Sequence, residues 1–597
     1  MGLTAAEHDR MDLRERGPRH YKPQLLSQRG AFMCVIIFGL CVVAAYPISN
    51  EGYVDDFSYA HSALLFAQTG KFVYDVWATA LLGWLVPWGA LFIKIFGFSF
   101  NVMRFAALPI AMSSVYLFHR VLVRFEVSEY NAIFGTLLLT LSPMYFPLTT
   151  SFMTDVPGML VLLICVYMCQ RAVAAEDARS TIIWLISAAI LNVLAGTVRQ
   201  NVWVGALVMV PSTGWFLRRR RGVLPVSIAS ALVSLGAMMA LYYWFSTRPY
   251  FFSDPATSPG MHHSIKILVD AMVKMLLCVL LLLIPVLAAW WPTARKFSHG
   301  ALLRILFALG LLAAALAIPA HRGRLGIWTA PWLPCTVSRF GNFDIEQIDQ
   351  LVCSSVTYPM WLRVALTILT VAAVIITVEQ LANWKWRLRL QNLGIGEVSL
   401  FWILGPATFC YGLLLIPRAS STGVLDKYVI FFLPFAIASL LLVYQRSFRP
   451  KVPVISFIVL ALFAIDAVGD THDYYADARA GDIAIAELLA AGVPRTAISR
   501  SINSDGWVQV LINGYLHRLE TSDVDRGPTP PPPRKPLAVA CSTYMEPRVP
   551  VVQPEYYVVF SPSSCLKSSP YPPVRYRAWL PPFNRQEYIE QPIYSEP

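Results

Sequence analysis

The stretch Asn50–Gly70, NEGYVDDFSYAHSALLFAQTG, decides how the chain is arranged. It follows an apolar run, Ala31–Ile48, that is long enough to cross a bilayer. Two adjacent carboxylates, Asp55 and Asp56, therefore lie just past the end of the first predicted span. The apolar residues behind them recur at helical spacing, and Gly70 supplies a stop. This pattern predicts a short amphipathic helix on the membrane surface with acids at its start.

The two acids have a plain structural explanation and a functional one. Asp is a preferred N-cap residue and suits the positive end of the helix dipole. Capping needs only one acid, however, and does not account for a pair beside a membrane. From these residues alone, a cap and an active site both remain open.

The composition is that of a polytopic membrane protein. The 597 residues are 56% hydrophobic and 14% charged, with a mean hydropathy of +0.54. A soluble domain has about 45–50% apolar and about 25% charged residues. The net charge of +12 comes from small basic groups between apolar runs, which is typical of the positive-inside rule and not of nucleic-acid binding.

Apolar runs alternate with basic clusters in a way that predicts an all-α fold with about thirteen membrane spans. Residues 1–30 form a basic cytoplasmic tail, and the segment Ala78–Gly97 is expected to lie on the outer surface within a first outer loop, 49–100. The transmembrane domain then covers 31–470. The predicted spans are Ala31–Ile48, Val102–Phe118, Ala132–Pro147, Val156–Cys169, Ile182–Ala195, Val202–Phe216, Val223–Tyr243, Ile267–Trp290, Leu302–Ile318, Trp361–Val378, Val398–Ile416, Val429–Val443 and Pro453–Ile465.

Residues 471–597 lack the pattern of apolar spans found in residues 31–470. ADARAGDIAIAELLAAGV (476–493) predicts an amphipathic helix and YYVVF (556–560) a buried strand, with a proline-rich linker, Thr529–Pro536, between them. We expect a small α/β domain outside the membrane.

The ten cysteines fall into two groups. Those in apolar runs are expected to be small buried hydrophobes: Cys34, Cys41, Cys165, Cys169, Cys278 and Cys410. Four others lie in polar segments on the predicted outer side, so Cys335 with Cys353 and Cys541 with Cys565 are candidate disulfides, while unpaired thiols stay open. No zinc-type spacing is present.

The spans are almost free of acids, and Asp55, Asp56 and Asp155 lie at their ends, which argues against a pump or an ion-coupled carrier. It favours a site at the membrane interface, where a lipid head group meets a water-soluble partner. Transfer of a sugar from a lipid phosphate needs a carboxylate to take the acceptor's proton and cationic help for the phosphate. Asp55 is suited to be that base, and Arg104, Arg199 and Lys427 are the outer cations.

Three stretches carry a family resemblance. The acidic motif with Tyr59 and Ala63 behind it, LSPMYFPLTTSFMTDVP (141–157) and LDKYVIFFLP (425–434) resemble the polyprenyl-phosphate-dependent GT-C glycosyltransferases. The most similar group is the bacterial relatives of protein O-mannosyltransferases and of the lipid A aminoarabinose transferase. The resemblance is strongest over residues 30–210.

The resemblance implies a GT-C fold and an inverting transfer from a polyprenyl-phosphate sugar to a lipid, glycan or protein acceptor on the extracytoplasmic face of a bacterial inner membrane. It implies that Asp55 is the base, that Asp56 stands where the family commonly has Glu, and that Asp155 is a second site acid. Tyr428 belongs to the aromatic-and-basic motif. Some members use a divalent metal ion, so a metal is a candidate cofactor; no local spacing in this chain demonstrates one.

Each of these residues also has a structural interpretation. Asp155 suits a helix cap, Arg199 an interface turn, and Lys427 a snorkelling span end. His262 and His263 fit an ordinary outer loop as well as a substrate contact. A flippase or transporter of a lipid-linked substrate and a catalytically inactive scaffold are the alternative functions.

Overall fold

The computed structural model describes residues 28–53, 56–75, 77–78, 80–251, 263–290, 330, 332–333, 360–382, 394–421, 424–447, 449–513, 549–560 and 566–593. Asp55, His262, the predicted span Leu302–Ile318 and the proline-rich linker lie outside these residues, as do Cys335, Cys353, Cys541 and Cys565. The two disulfide predictions therefore stay predictions. The six cysteines in apolar runs are free and buried or half-buried, as predicted.

The described chain is mainly helical. Its α-helices are α1 (Arg29–Ala45), α2 (Asp56–Thr69), α3 (Leu85–Phe96), α4 (Phe100–Arg124), α5 (Glu129–Thr140), α6 (Tyr145–Leu148), α7 (Asp155–Ala174), α8 (Ala178–Ala195), α9 (Val210–Phe216), α10 (Val223–Ser246), α11 (Ile265–Leu282), α12 (Ile284–Leu287), α13 (Met360–Ala382), α14 (Ile395–Leu414), α15 (Ile416–Ser421), α16 (Leu433–Ser447), α17 (Val454–Ala490) and α18 (Ile502–Asn513). Short 3-10 turns cover Gly196–Val198, Gln200–Trp203, Ala288–Trp290, Asp426–Phe432 and Arg495–Ala497, and Gly205–Met209 is a π-helical turn.

Within the described residues, eight helices are long and apolar enough to cross a membrane, or nine if the bent pair α11 and α12 is one span. The polytopic helical architecture is confirmed, and the count of thirteen is not. α1 has 17 residues. The predicted span Ala132–Pro147 is wrong as one element, because the helix ends at Thr140 and Pro143, which has no N–H to donate, lies in the break before α6.

α3 agrees with the expected surface helix. It has 12 residues, or about 18 Å of helix, well short of the roughly 30 Å hydrocarbon core. α2 begins at Asp56, and its first turns, Asp56–Ala63, are buried. The predicted helix behind the acidic pair is therefore present, but it is packed within the protein and does not lie on a free surface.

α17 contains two elements that the sequence predicts as separate. It runs for 37 residues, so the last predicted span and the predicted amphipathic helix form one continuous element across position 470. Its second half packs against a small sheet through Ala484 and Leu488, which contact Ile498, Val558 and Ile589.

The sheet contains the predicted buried strand. Its strands are β1 (Ile498–Ser499), β2 (Tyr556–Val559), β3 (Leu566–Ser568), β4 (Val574–Arg577) and β5 (Asn584–Pro592). Their order is β1-β2-β5-β3, with β4 also paired to β5. β1 and β2 are parallel, and the other pairs are antiparallel. With the second half of α17, this sheet forms the expected small α/β unit.

Buried charges join this sheet to the first outer loop. The Arg500 guanidinium contacts the Glu51 carboxylate and lies 2.9 Å from Asp477 Oδ2 and 3.8 Å from Glu587 Oε2. Burial raises the pKa of the Glu587 carboxyl well above its ordinary value, and the adjacent Asp477 carboxylate raises that pKa further. The raised pKa favours the protonated form of Glu587 beside the Asp477 carboxylate.

Candidate functional site

A buried ion pair lies where two neighbouring helices bring their ends together. α7 begins at Asp155, and α8 packs beside it and runs back towards the same end. Arg199 follows α8 as a single extended residue between two 3-10 turns. Its Nη1 lies 2.6 Å from Asp155 Oδ1 and 3.2 Å from Thr154 Oγ1. The structure thus brings two of the predicted site residues into direct contact.

The second oxygen of Asp155 is left without a partner. The Asp155 side chain is fully buried, and among the residues described, no hydrogen-bond donor reaches Oδ2. A buried carboxylate oxygen without a donor is costly and uncommon in folded proteins. Asp155 therefore combines a salt bridge with an acceptor that is ready for a hydroxyl or amide group.

Aromatic rings and further cations form the other wall of the site. The Arg199 guanidinium lies 5.3 Å from the Tyr428 ring centre and 5.6 Å from that of Phe431. Arg418 lies 5.3 Å from the same Tyr428 ring. Lys427, adjacent in sequence, is buried. Arg199 and Arg418 therefore lie against the same Tyr428 ring, and planar guanidinium groups suit an anionic group such as a phosphate.

Asp56 is bound by backbone groups. Its Oδ1 accepts a hydrogen bond from the Tyr53 N–H at 2.7 Å, and its Oδ2 accepts one from the Phe152 N–H at 3.2 Å. Phe152 lies three residues before Asp155, so Asp56 ties the first outer loop to the segment that leads into the ion pair. This geometry favours a bracing role for Asp56, while Asp55 lies outside the described residues.

Arg104 is also committed to the first outer loop. A guanidinium has five N–H donors, and all five are used. They contact the Tyr475 hydroxyl, the Ser49 carbonyl and hydroxyl, the Asn101 side-chain oxygen and the Glu51 carbonyl. The side chain is buried over the Tyr475 ring. No donor of Arg104 is left for a phosphate, so this arrangement favours a structural role over the predicted substrate contact.

His263 is linked through Ser420 to the helix that carries Arg418. Its Nδ1 lies 2.7 Å from Ser420 Oγ, and the next residue, Ser264, donates its N–H to the Ser420 carbonyl. Ser420 belongs to α15, which also carries Arg418. Arg418 is not among the candidates predicted from the sequence. The one sign of it in the sequence is a basic residue in a predicted outer loop, which goes against the charge bias; Lys427 shows the same sign.

The side chains do not fit a metal ion in the part of the chain that the structure describes. There, no three or more His, Cys, Asp or Glu side chains are grouped so that they would hold a metal ion. Asp155 is instead neutralised by Arg199. Asp55 lies outside the described residues, so a metal ion stays a prediction.

No protein-family model matches the sequence, and no curated protein matches it. The protein O-mannosyltransferase Pmt1-Pmt2 complex of S. cerevisiae bound to the sugar donor is 17% identical, covering 37% of this chain and 33% of that one, with a TM-score of 0.29. ArnT from Cupriavidus metallidurans bound to undecaprenyl phosphate is 14% identical, covering 77% and 73%, with a TM-score of 0.37. The archaeal oligosaccharyltransferase AglB from Archaeoglobus fulgidus, in complex with an inhibitory peptide and a dolichol-phosphate, is 10% identical, covering 88% and 64%, with a TM-score of 0.38. Similarities at this level do not by themselves assign a function.

Proposed function

We propose that this chain is an integral membrane glycosyltransferase of the GT-C type that moves a sugar from a polyprenyl-phosphate donor to an acceptor on the extracytoplasmic side. The observation that carries the proposal is the buried Asp155–Arg199 pair beside Tyr428, with Arg418 against the same Tyr428 ring. These groups lie at the ends of apolar helices, where a lipid phosphate lies in a bilayer. The family resemblance of the loop motifs supports the same assignment.

The chemistry follows from the nature of the leaving group. The acceptor hydroxyl attacks the anomeric carbon and gives its proton to the Asp55 carboxylate. The bond from that carbon to the phosphate oxygen breaks, and its electron pair leaves with the polyprenyl phosphate. A phosphate is a stable anion, so its departure requires no carboxylic acid, unlike the leaving group in glycoside hydrolysis. Attack from the face opposite the phosphate inverts the anomeric centre.

The ion pair and its neighbours hold the donor in this scheme. Arg199 has a planar guanidinium that Asp155 keeps in place at 2.6 Å, which fits it for a charge-assisted contact to phosphate oxygens. Arg418 and Lys427 add the charge that balances the phosphate as it gains its second negative charge. Asp155 Oδ2 is positioned to accept a hydrogen bond from a sugar hydroxyl.

The test uses purified protein in nanodiscs and a panel of radiolabelled donors that includes undecaprenyl- and dolichyl-phosphate sugars. Release of sugar or lipid phosphate is followed with crude membrane acceptors present. We expect one donor to turn over and Asp55→Asn to abolish that turnover. The matched control is Asp177→Asn, an exposed acid that caps the opposite end of α8.

Full transfer by a normally folded Asp55→Asn variant would refute the assignment of the base. Donor binding without turnover by the wild-type chain would identify an inactive scaffold. Movement of a lipid-linked substrate across the bilayer, with no turnover, would identify a transporter instead.

A further inference from the structure

A hollow of about 840 Å³ lies against the sheet of the C-terminal region, away from the Asp155–Arg199 pair. β4 and β5 supply most of its lining, including three arginines, Arg575, Arg577 and Arg585. Its size falls within the range of about 300–1,000 Å³ that is usual for small-molecule sites. The proposed transfer chemistry uses none of these residues.

Two of the arginines that line the hollow are exposed. Arg575 and Arg577 line the hollow, and in the described part of the chain neither guanidinium has a hydrogen-bond or ion-pair partner. In the antiparallel register, Arg575 lies opposite Gln586 and Arg577 lies opposite Asn584. Residues directly opposite each other share a face of a sheet, so each guanidinium has a side-chain amide beside it.

The third arginine is fixed as part of the wall. Arg585 lies 3.1 Å from Asp473 Oδ2 and donates to the carbonyls of Leu580 and Pro582. The Tyr576 hydroxyl, across from Arg585, donates to Asp477 Oδ1 at 2.8 Å. The wall is therefore held rigidly, and its positive charge is concentrated on Arg575 and Arg577.

We propose that this hollow binds an anionic saccharide. The exposed guanidinium groups of Arg575 and Arg577 provide paired donors for a carboxylate or a phosphate. The amides of Asn584 and Gln586 provide both donors and acceptors for sugar hydroxyls. Tyr588 adds an aromatic ring with an apolar face to the lining. A free inorganic anion would use only the first of these three features.

The hollow is connected to the first outer loop by direct contacts. Asp477 lines the hollow and bonds Arg500, which contacts Glu51. Glu51 lies four residues before Asp55. The bound saccharide is then the acceptor, or the part of it that carries the charge; this identification as acceptor rests on the proposed function, whereas the binding itself does not.

The experiment measures binding to the full-length protein in nanodiscs with no donor present. The probes are trigalacturonic acid, the neutral trisaccharide maltotriose and inorganic phosphate, and the readout is microscale thermophoresis at fixed ionic strength. We expect trigalacturonic acid to bind at least about tenfold more tightly than maltotriose or phosphate. We expect R575A/R577A to weaken that binding by at least about tenfold, the loss of one charge-assisted contact or more.

The matched control is Lys567→Ala, which removes an exposed cation from β3 of the same sheet outside the lining of the hollow. Equal binding of trigalacturonic acid by wild type and R575A/R577A would overturn the proposal, as would an equal loss in the Lys567→Ala control. Phosphate binding as tight as that of trigalacturonic acid would show an anion site without saccharide recognition and would also overturn it. Donor turnover by the wild type is scored separately, so a failure of the proposed function leaves the binding result intact.

Discussion

Replacing Arg199 with Gln separates the structural and catalytic roles of the buried ion pair. The Asp155 side chain is fully buried, and the 2.6 Å contact to Arg199 Nη1 is its salt bridge. Arg199→Gln leaves a buried carboxylate without its counter-charge, which typically costs about 3–5 kcal/mol. We expect a clear fall in the temperature at which the detergent-purified protein loses its monomer peak in size-exclusion chromatography.

The double variant Arg199→Gln, Asp155→Asn makes the test specific. Removing both charges restores neutrality, so we expect the double variant to be more stable than Arg199→Gln alone. Donor turnover should be about 10²–10³-fold lower than in the wild type in both variants, because neither has the cation that contacts the phosphate. Stability and activity are thus expected to separate, and thermal denaturation and nanodisc turnover measure the two quantities independently.

Two results would refute this reasoning. If Arg199→Gln denatures at the wild-type temperature, the buried carboxylate does not depend on Arg199 for its charge balance. If the double variant regains wild-type turnover, Arg199 serves only to neutralise Asp155 and does not hold the donor phosphate.

Four further predictions concern the outer loops and the sheet. Asp55→Asn should lower transfer by about 10²–10⁴-fold at unchanged thermal stability, as expected for loss of a general base. Asp56→Asn should instead lower stability by about 1–2 kcal/mol in thermal denaturation, since its carboxylate accepts two buried backbone N–H groups. Arg104→Lys should destabilise the protein by about 2–4 kcal/mol and expose the first outer loop to limited proteolysis, because an ammonium cannot replace five guanidinium bonds. Glu587 has a folded-state pKa raised above its ordinary 4.5, so the unfolded chain releases a proton that the folded chain keeps. Stability then falls as pH rises above 4.5 towards the folded pKa, and Glu587→Gln should flatten this part of the denaturation profile.

Each of these predictions has a contrary result. Equal loss of transfer in the Asp55 and Asp56 variants, both stable, would make the acidic pair one catalytic unit. An Arg104→Lys variant of wild-type stability with weakened donor binding would restore the predicted substrate contact. A Glu587→Gln variant with the wild-type pH profile would show that another group sets it.

The individual members of the candidate site could be singled out in the sequence, but their arrangement could not. Asp155, Arg199 and Tyr428 each follow from an ionisable or aromatic residue at the outer end of an apolar run. Their contact depends on how the helix ends meet, since Asp155 and Arg199 are 44 residues apart. Arg418 was not singled out, because its one signal, a basic residue in a predicted outer loop, is shared by arginines that are simply solvated.

Several side chains have partners that lie far away along the chain. Arg104 looks like a free cation in the sequence, but two carbonyls, two hydroxyls and one side-chain amide oxygen occupy its donors, and the Tyr475 hydroxyl lies 371 residues away. Several acids likewise follow Ile465, where the last predicted span ends. In the structure, two of them are satisfied by tertiary contacts: Asp473 accepts the N–H groups of Trp579 and Leu580, and Asp477 binds Arg500. Propensity and charge patterns do not contain such distant partners.

The unbroken helix α17 fixes both the distance and the rotation between the last predicted span and the sheet. Its 37 residues span about 55 Å, well beyond the roughly 30 Å hydrocarbon core. Asp473, Asp477 and Gly481 recur every four residues on one side of it and meet Trp579, Tyr576 and Arg500. One residue inserted before Asp473 would turn this side by about 100° and raise it by about 1.5 Å. The number of residues in α17 therefore cannot change by even one without moving the sheet relative to the span. One continuous helix fixes both the depth of the span and the orientation of the sheet.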